Sequence, residues 1–179
     1  MNLEGGRVKT ILSHMGRAQF KASAIPVKAR SKEVVGQTLR VAGREFNFTA
    51  VSTGNPHCVI FVDELDTVDL VMVGPKIERH EIFPNHTNVE FVKVHSRDRI
   101  SVRVWERGAG PTAASGTGAL AASAACVKNN YTDKTLSVEM AGGVLKTTVE
   151  ENFELVLEGP ASEIMSGTLS AELLAKLLE

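Results

Sequence analysis

Residues 105 to 127 read WERGAGPTAASGTGALAASAACV, and the fold turns on this stretch. It passes from a strand-like run through a glycine-rich turn into a helix built almost entirely of small apolar residues. A helix that is apolar on all sides must be buried on all sides, and alanine lets strands approach it closely. The expected architecture is therefore α+β, an antiparallel, barrel-like sheet wrapped around one central Ala-rich helix over about 116–129. The first helical turn, Ser115-Gly116-Thr117-Gly118, offers unpaired backbone N–H groups and the positive end of the helix dipole, which together favour a carboxylate or phosphate. The same residues also suit an ordinary serine-capped buried helix.

Composition narrows the function classes. With 43% hydrophobic and 23% charged residues over a length of 179, the chain reads as one globular domain, 1–179. The net charge is -1, and there is no block of lysine or arginine to track a phosphate backbone, so nucleic acid is not an expected partner. No apolar run reaches the roughly 20 residues that span a bilayer, so no membrane partner and a cytoplasmic location are expected. Cys58 and Cys126 lie in no metal-ligand spacing, which predicts two buried, reduced thiols and no metal. Among His14, His57, His80, His86 and His95 only His57 draws notice, because it follows Asn55-Pro56 at the mouth of a strand.

Working outward, residues 7–12 and 24–28 read as short strands on either side of a turn at His14 to Arg17. Residues 38–41 and 45–51 form a hairpin around Ala42-Gly43-Arg44. The run CVIFV suits a strand buried on both faces, and the ring of Pro56 holds Asn55 extended, aiming its amide; Asn-Pro is also an ordinary way to begin a turn. A surface helix is expected to start at Pro75. In the second hairpin, 89–94 and 100–105, strict alternation places Glu106 on the face of Ile100, Val102 and Val104, and Arg107 on the face of Trp105. Three further β runs follow the helix, and Ser170 caps a short leucine-striped helix at the end of the chain. The sum is about eight strands around one long helix.

Four motifs in order, GNPHCVIFVDE (54–64), TNVEFV (87–92), WERGAGPTAASGTGALA (105–121) and the late GGVLKTTV with EGPA, resemble the C-terminal half of diaminopimelate epimerase from about Arg7 onward. That resemblance implies a cofactor-independent isomerase of the lysine and cell-wall pathway, which interconverts the LL and meso forms of diaminopimelate without pyridoxal phosphate. It implies that Asn55, Asn88, Glu106 and Arg107 hold the distal amino and carboxylate groups of this diamino dicarboxylic acid. The backbone of Gly116 and Thr117 would take the carboxylate at the reacting carbon. Family members place the active site between two similar halves, so the expected partner is an absent N-terminal half or a second copy of the chain.

Two departures accompany the likeness. The family inverts carbon with two cysteines, one from each half; the first lies in a motif missing here, and the second belongs where this chain has Ser115. A thiol with a pKa of about 8.5 is readily poised at a helix N-terminus, whereas a serine hydroxyl is inert without a base. His57 is the remote candidate for that base. Pro111 also stands where the family has an acidic or polar residue. The expectation is a half-epimerase that binds but does not turn over alone; a non-catalytic carboxylate-binding module and the partner domain of a split epimerase are the alternatives.

Overall fold

The computed structural model describes residues 2–4 and 7–177. In chain order the elements are β1 (Asn2–Glu4), β2 (Arg7–Arg17), β3 (Gln37–Val41), β4 (Arg44–Ser52), β5 (Pro56–Phe61), α1 (Leu70–Glu78), β6 (Asn88–Ser96), β7 (Arg99–Glu106), β8 (Gly110–Thr112), α2 (Gly116–Lys128), β9 (Thr135–Met140), β10 (Gly143–Val149), β11 (Glu154–Pro160) and α3 (Ala171–Leu177). The eleven strands form one sheet in the order β1-β2-β11-β10-β9-β7-β6-β5-β4-β3, with β8 added to β7.

The expected antiparallel, barrel-like wrap is corrected in two respects. First, the sheet is mixed, because β5 pairs with β6 and β7 with β9 in parallel. Parallel neighbours need a crossover, usually helical, and the two main helices supply one each: α1 links β5 to β6, and α2 lies between β7 and β9. Second, the sheet is open. An isolated bridge, Gln19 to Ser52, joins the extension of β2 to β4, but β1 and β3 remain edges.

Each face of the sheet has its own core. On one side α2 packs against β4, β5, β6, β7, β9, β10 and β11, and every residue from Gly118 to Cys126 is buried. Val59, Val92, Ile100, Val102 and Val104 meet it there. On the other side Cys58, Ile60, Val89 and Phe91 pack with Leu70, Val73 and Ile77 of α1. β5 is thus buried on both faces, as its unbroken apolar run predicts.

Local differences from the sequence reading have physical causes. The Gly16 signal is a bulge, not a turn: Arg17 faces Glu154 and His14 faces Val156, so β2 carries an extra residue where Gly16 takes φ +79°. The 24–28 segment is no strand. Pro26 has no N–H to offer a ladder, and Ile25 and Val27 are buried through a turn in which both donate to the Ala22 carbonyl. Helix α1 starts at Leu70, not Pro75, because the Asp69 carboxylate accepts from Met72 N at 3.0 Å and caps it. It lies at the surface with Val71 and Met72 exposed, and its other face buries Leu70, Val73, Gly74, Ile77 and Glu78. The Ala42-Gly43 loop places both residues at positive φ, as a two-residue hairpin requires.

Candidate active site

Strand register assembles the site. β5 and β6 run parallel with His57 beside Asn88, so both begin at the same end of the sheet. β7 returns antiparallel with Trp105 opposite Val89, which brings its last residue, Glu106, level with Asn88. Asn55 lies one residue before β5, Arg107 one residue after β7, and α2 also starts here: a Cβ built on Gly118 would sit 3.2 Å from Glu90 Oε1 on β6. Asn55, Asn88, Glu106, Arg107 and the first turn of α2 therefore gather at one end of three adjacent strands. Alternation adds His57 and Glu90 to the α2 face, the face that carries Val59 and Val92.

The loops that carry these residues are tied together by side chains. Asn88 is buried; its Nδ2 donates to the Pro56 carbonyl at 3.1 Å, and its Oδ1 accepts from the Arg107 backbone N–H at 2.8 Å. One amide thus fixes the spacing between the Asn55 loop and the Arg107 loop. From the far side of the sheet the buried carboxylate of Glu78 accepts from Trp105 Nε1 at 2.7 Å and from Gly108 N at 3.2 Å. Arg107 is exposed, with its guanidinium donating to the Asn85 carbonyl at 2.9 Å. Pro111 sits opposite Trp105 in β8, which among the described residues pairs with β7 alone; an edge strand tolerates a residue without an N–H.

A second polar chain lies beneath the site. His57 and Glu90 are both fully buried, with His57 Nδ1 2.7 Å from Glu90 Oε1. The other imidazole nitrogen, Nε2, is 2.9 Å from Asn55 Oδ1 and 3.0 Å from Thr53 Oγ1, and the Thr53 hydroxyl donates to Asn55 Oδ1 at 3.1 Å. Glu90 Oε2 has no hydrogen-bond partner among the described residues. Burial pushes the Glu90 carboxyl above its ordinary pKa, the His57 charge and hydrogen bond pull it back, and the Glu106 carboxylate adds a smaller upward push.

At the head of α2 the Ser115 hydroxyl accepts from Gly118 N at 3.2 Å and so caps the helix. Helix geometry leaves the N–H groups of Gly116 and Thr117 without an intrahelical acceptor, which makes this turn able to bind an anion. Gly118 suits this close approach, because an added Cβ would lie 3.1 Å from Ser115 Oγ and 3.2 Å from Glu90 Oε1, so those side chains would have to give by a few tenths of an ångström. Neither thiol of the chain can serve. Cys58 and Cys126 are free and buried as expected; burial and then the Glu90 charge raise Cys58 well above its normal pKa, and burial pushes Cys126 up to about 12.

The sequence reading missed Glu78 and Glu90. Glu90 was visible as the lone carboxylate inside the apolar run of 88–92, sharing a face with Val92. Glu78 would have appeared on the apolar stripe of α1, one residue after Ile77, had the helix been started at Leu70.

Comparison with known proteins agrees with this architecture. The family model described as diaminopimelate epimerase matches residues 49–164. A diaminopimelate epimerase of Desulfitobacterium hafniense is 42% identical over 98% of this chain and 62% of its own length. That of Pelotomaculum thermopropionicum is 45% identical over 92% of this chain and 59% of its own. The chain thus spans about 60% of the relatives it matches. Among solved structures, a hydroxyproline epimerase from Agrobacterium vitis superposes with a TM-score of 0.62 at 12% identity, covering 88% of this chain and 51% of that one. A probable proline racemase from Agrobacterium radiobacter gives 0.60 at 10% identity, covering 88% and 52%; at such identities the likeness concerns the fold alone. On the matched residues and the relatives that share them, the chain belongs to the diaminopimelate epimerase family.

Proposed function

We propose that this chain is the substrate-holding C-terminal half of a cofactor-independent diaminopimelate epimerase, silent in turnover by itself. The observation that carries the reading is the gathering of Asn55, Asn88, Glu106, Arg107 and the α2 N-terminus at one end of β5, β6 and β7. An ammonium group suits the Glu106 carboxylate, and carboxylates suit Arg107 and the N–H groups of Gly116 and Thr117. Inversion of a carbon requires one group to take a proton from one face and another to return it on the opposite face. Ser115 occupies one such place with a hydroxyl engaged as a helix cap, and the other place falls to the N-terminal half of the family's architecture. A complete site is then an assembly in which both halves close on the substrate.

Titration calorimetry with LL- and meso-diaminopimelate, paired with mass spectrometry of solvent deuterium uptake, tests this. The chain alone should bind and incorporate no deuterium. Adding the N-terminal half of a relative to Ser115→Cys protein should start exchange. Deuterium uptake by the unmodified chain alone would overturn the silent half, and absence of binding together with absence of recovery would overturn the epimerase reading. The Ser115 cap and the two inaccessible thiols favour one other reading, a carboxylate-binding module without chemistry. That reading gains if a tight two-half complex of the Ser115→Cys protein binds diaminopimelate yet exchanges nothing.

A further inference from the structure

The buried chain from Glu90 through His57 to Asn55 has a proton inventory that geometry decides. Asn55 Oδ1 only accepts, so its 2.9 Å contact with His57 Nε2 needs a proton on Nε2. The Thr53 hydroxyl donates to the same oxygen. At the other end, Nδ1 and Glu90 Oε1 stand 2.7 Å apart, a distance two lone pairs do not adopt, so one proton lies between them. Whether that proton resides on nitrogen or oxygen, the pair has no net charge. Reversing the Asn55 amide would remove the proton from Nε2 and leave Glu90 a full anion, fully buried, with Oε2 unpartnered; burying an unpaired charge is among the most expensive arrangements in a protein. The titratable groups that bear on the pair are Cys58 beside it on β5, which burial and the Glu90 charge hold as a neutral thiol, and Glu106 from β7, whose carboxylate opposes a negative charge on Glu90.

We propose that Glu90 is a positioning residue: the proton it shares with His57 Nδ1 locks the imidazole with Nε2 protonated, and this holds Asn55 Oδ1 inward so that its NH2 group faces the substrate. Asn55 is then a committed donor, suited to a carboxylate and unable to accept from an ammonium. The part concerning substrate rests on the epimerase reading above; the tautomer lock does not.

Long-range proton–nitrogen correlation spectra of the ligand-free chain, labelled with 15N histidine, read the lock directly. His57 should show a protonated Nε2 throughout the range in which the protein is folded. In Glu90→Gln the amide N–H replaces the shared proton and donates to Nδ1, so Nε2 should remain protonated and affinity for diaminopimelate should stay within about twofold. In Glu90→Ala the Nε2 preference should disappear and affinity should fall about tenfold, the worth of one misdirected hydrogen bond. An unprotonated Nε2 in the unmodified chain overturns the proposal, as does a Glu90→Ala protein that keeps both the tautomer and the affinity. If the unmodified chain binds no diaminopimelate, the substrate-facing role of Asn55 fails while the spectra still decide the lock; if Glu90→Ala does not fold, the unmodified and Glu90→Gln spectra still decide it.

Discussion

Replacing Gly74 by alanine should destabilise the protein, although the substitution sits inside a helix where alanine is ordinarily better by about 1 kcal/mol. The reason is Trp105. A Cβ at position 74 would lie 2.6 Å from Trp105 Cδ2, 2.7 Å from Cγ and 2.8 Å from Cε3, against roughly 3.5–4 Å for comfortable carbon contacts. The indole must retreat by about 1 Å, and its N–H is tied to Glu78 Oε2 at 2.7 Å. Overpacking costs about 1–3 kcal/mol, and weakening a hydrogen bond to a carboxylate costs up to about 1.5–3 kcal/mol more. Set against the helix gain, a net loss of about 1.5–5 kcal/mol is expected. Urea unfolding measures this, and fluorescence reports on the cause, because Trp105 is the single tryptophan of the chain. Its emission should shift in Gly74→Ala, and the destabilisation should shrink in a Trp105→Phe background, where the indole N–H is gone. Diaminopimelate affinity should fall as well, since Glu78 also fixes Gly108 next to Arg107. A Gly74→Ala protein that is more stable by about 1 kcal/mol with unchanged emission would refute the packing of Trp105 on α1.

Two further outcomes are expected. Burial raises Cys126 from 9.0 to about 12, so the folded state holds this proton more tightly, and the associated stability is complete below pH 9 and disappears as pH rises towards about 12. At about pH 10.5 the natural protein should have lost about 2 kcal/mol relative to Cys126→Ala, compared with the same pair at neutral pH; a difference between the two that does not change with pH would count against the buried thiol. Leu173, Leu174 and Leu177 of α3 are exposed, with Ile11, Leu12, Ile164 and Met165 exposed elsewhere on the chain, and large apolar patches find partners. Sedimentation should show self-association that Leu174→Glu reduces, and a clean monomer at high concentration would contradict it.

How much of this was legible in the sequence depends on whether the deciding interaction is local. The all-apolar surface of α2, the alternation along β7 and the Ala42-Gly43 hairpin depend on neighbours a few residues away, and each is written in the local pattern. Sheet direction is not. Nothing within CVIFV or NVEFV says that β5 and β6 run parallel; that follows only once α1 is recognised as the crossover between them, and placing its start at Pro75 hid the Asp69 cap and the stripe from Leu70 through Ile77. A glycine likewise announces positive φ without saying whether the chain turns back or only bulges, which is why Gly16 was legible as a signal and not as a structure.

The same division runs through the site. Asn55, Asn88, Glu106 and Arg107 stood out by motif, but what holds them was hidden, because their partners are distant: Asn88 reaches Pro56 across 32 positions, and Glu90 reaches His57 across 33. A polar residue on a core-facing position is the one local trace such a network leaves, since a buried polar group needs a partner somewhere. Glu78 and Glu90 both carry that trace, and they support opposite sides of the site. Glu78 fixes the Trp105-to-Gly108 loop from the α1 face, while Glu90 lies under His57 and the head of α2 on the other. The residues proposed to meet substrate are mostly on loops and strand ends, and two buried carboxylates on rigid elements are tied to those loops and ends. Removing either should therefore disturb binding as well as fold, as should filling Gly74, which makes room for Trp105, the side chain that Glu78 engages.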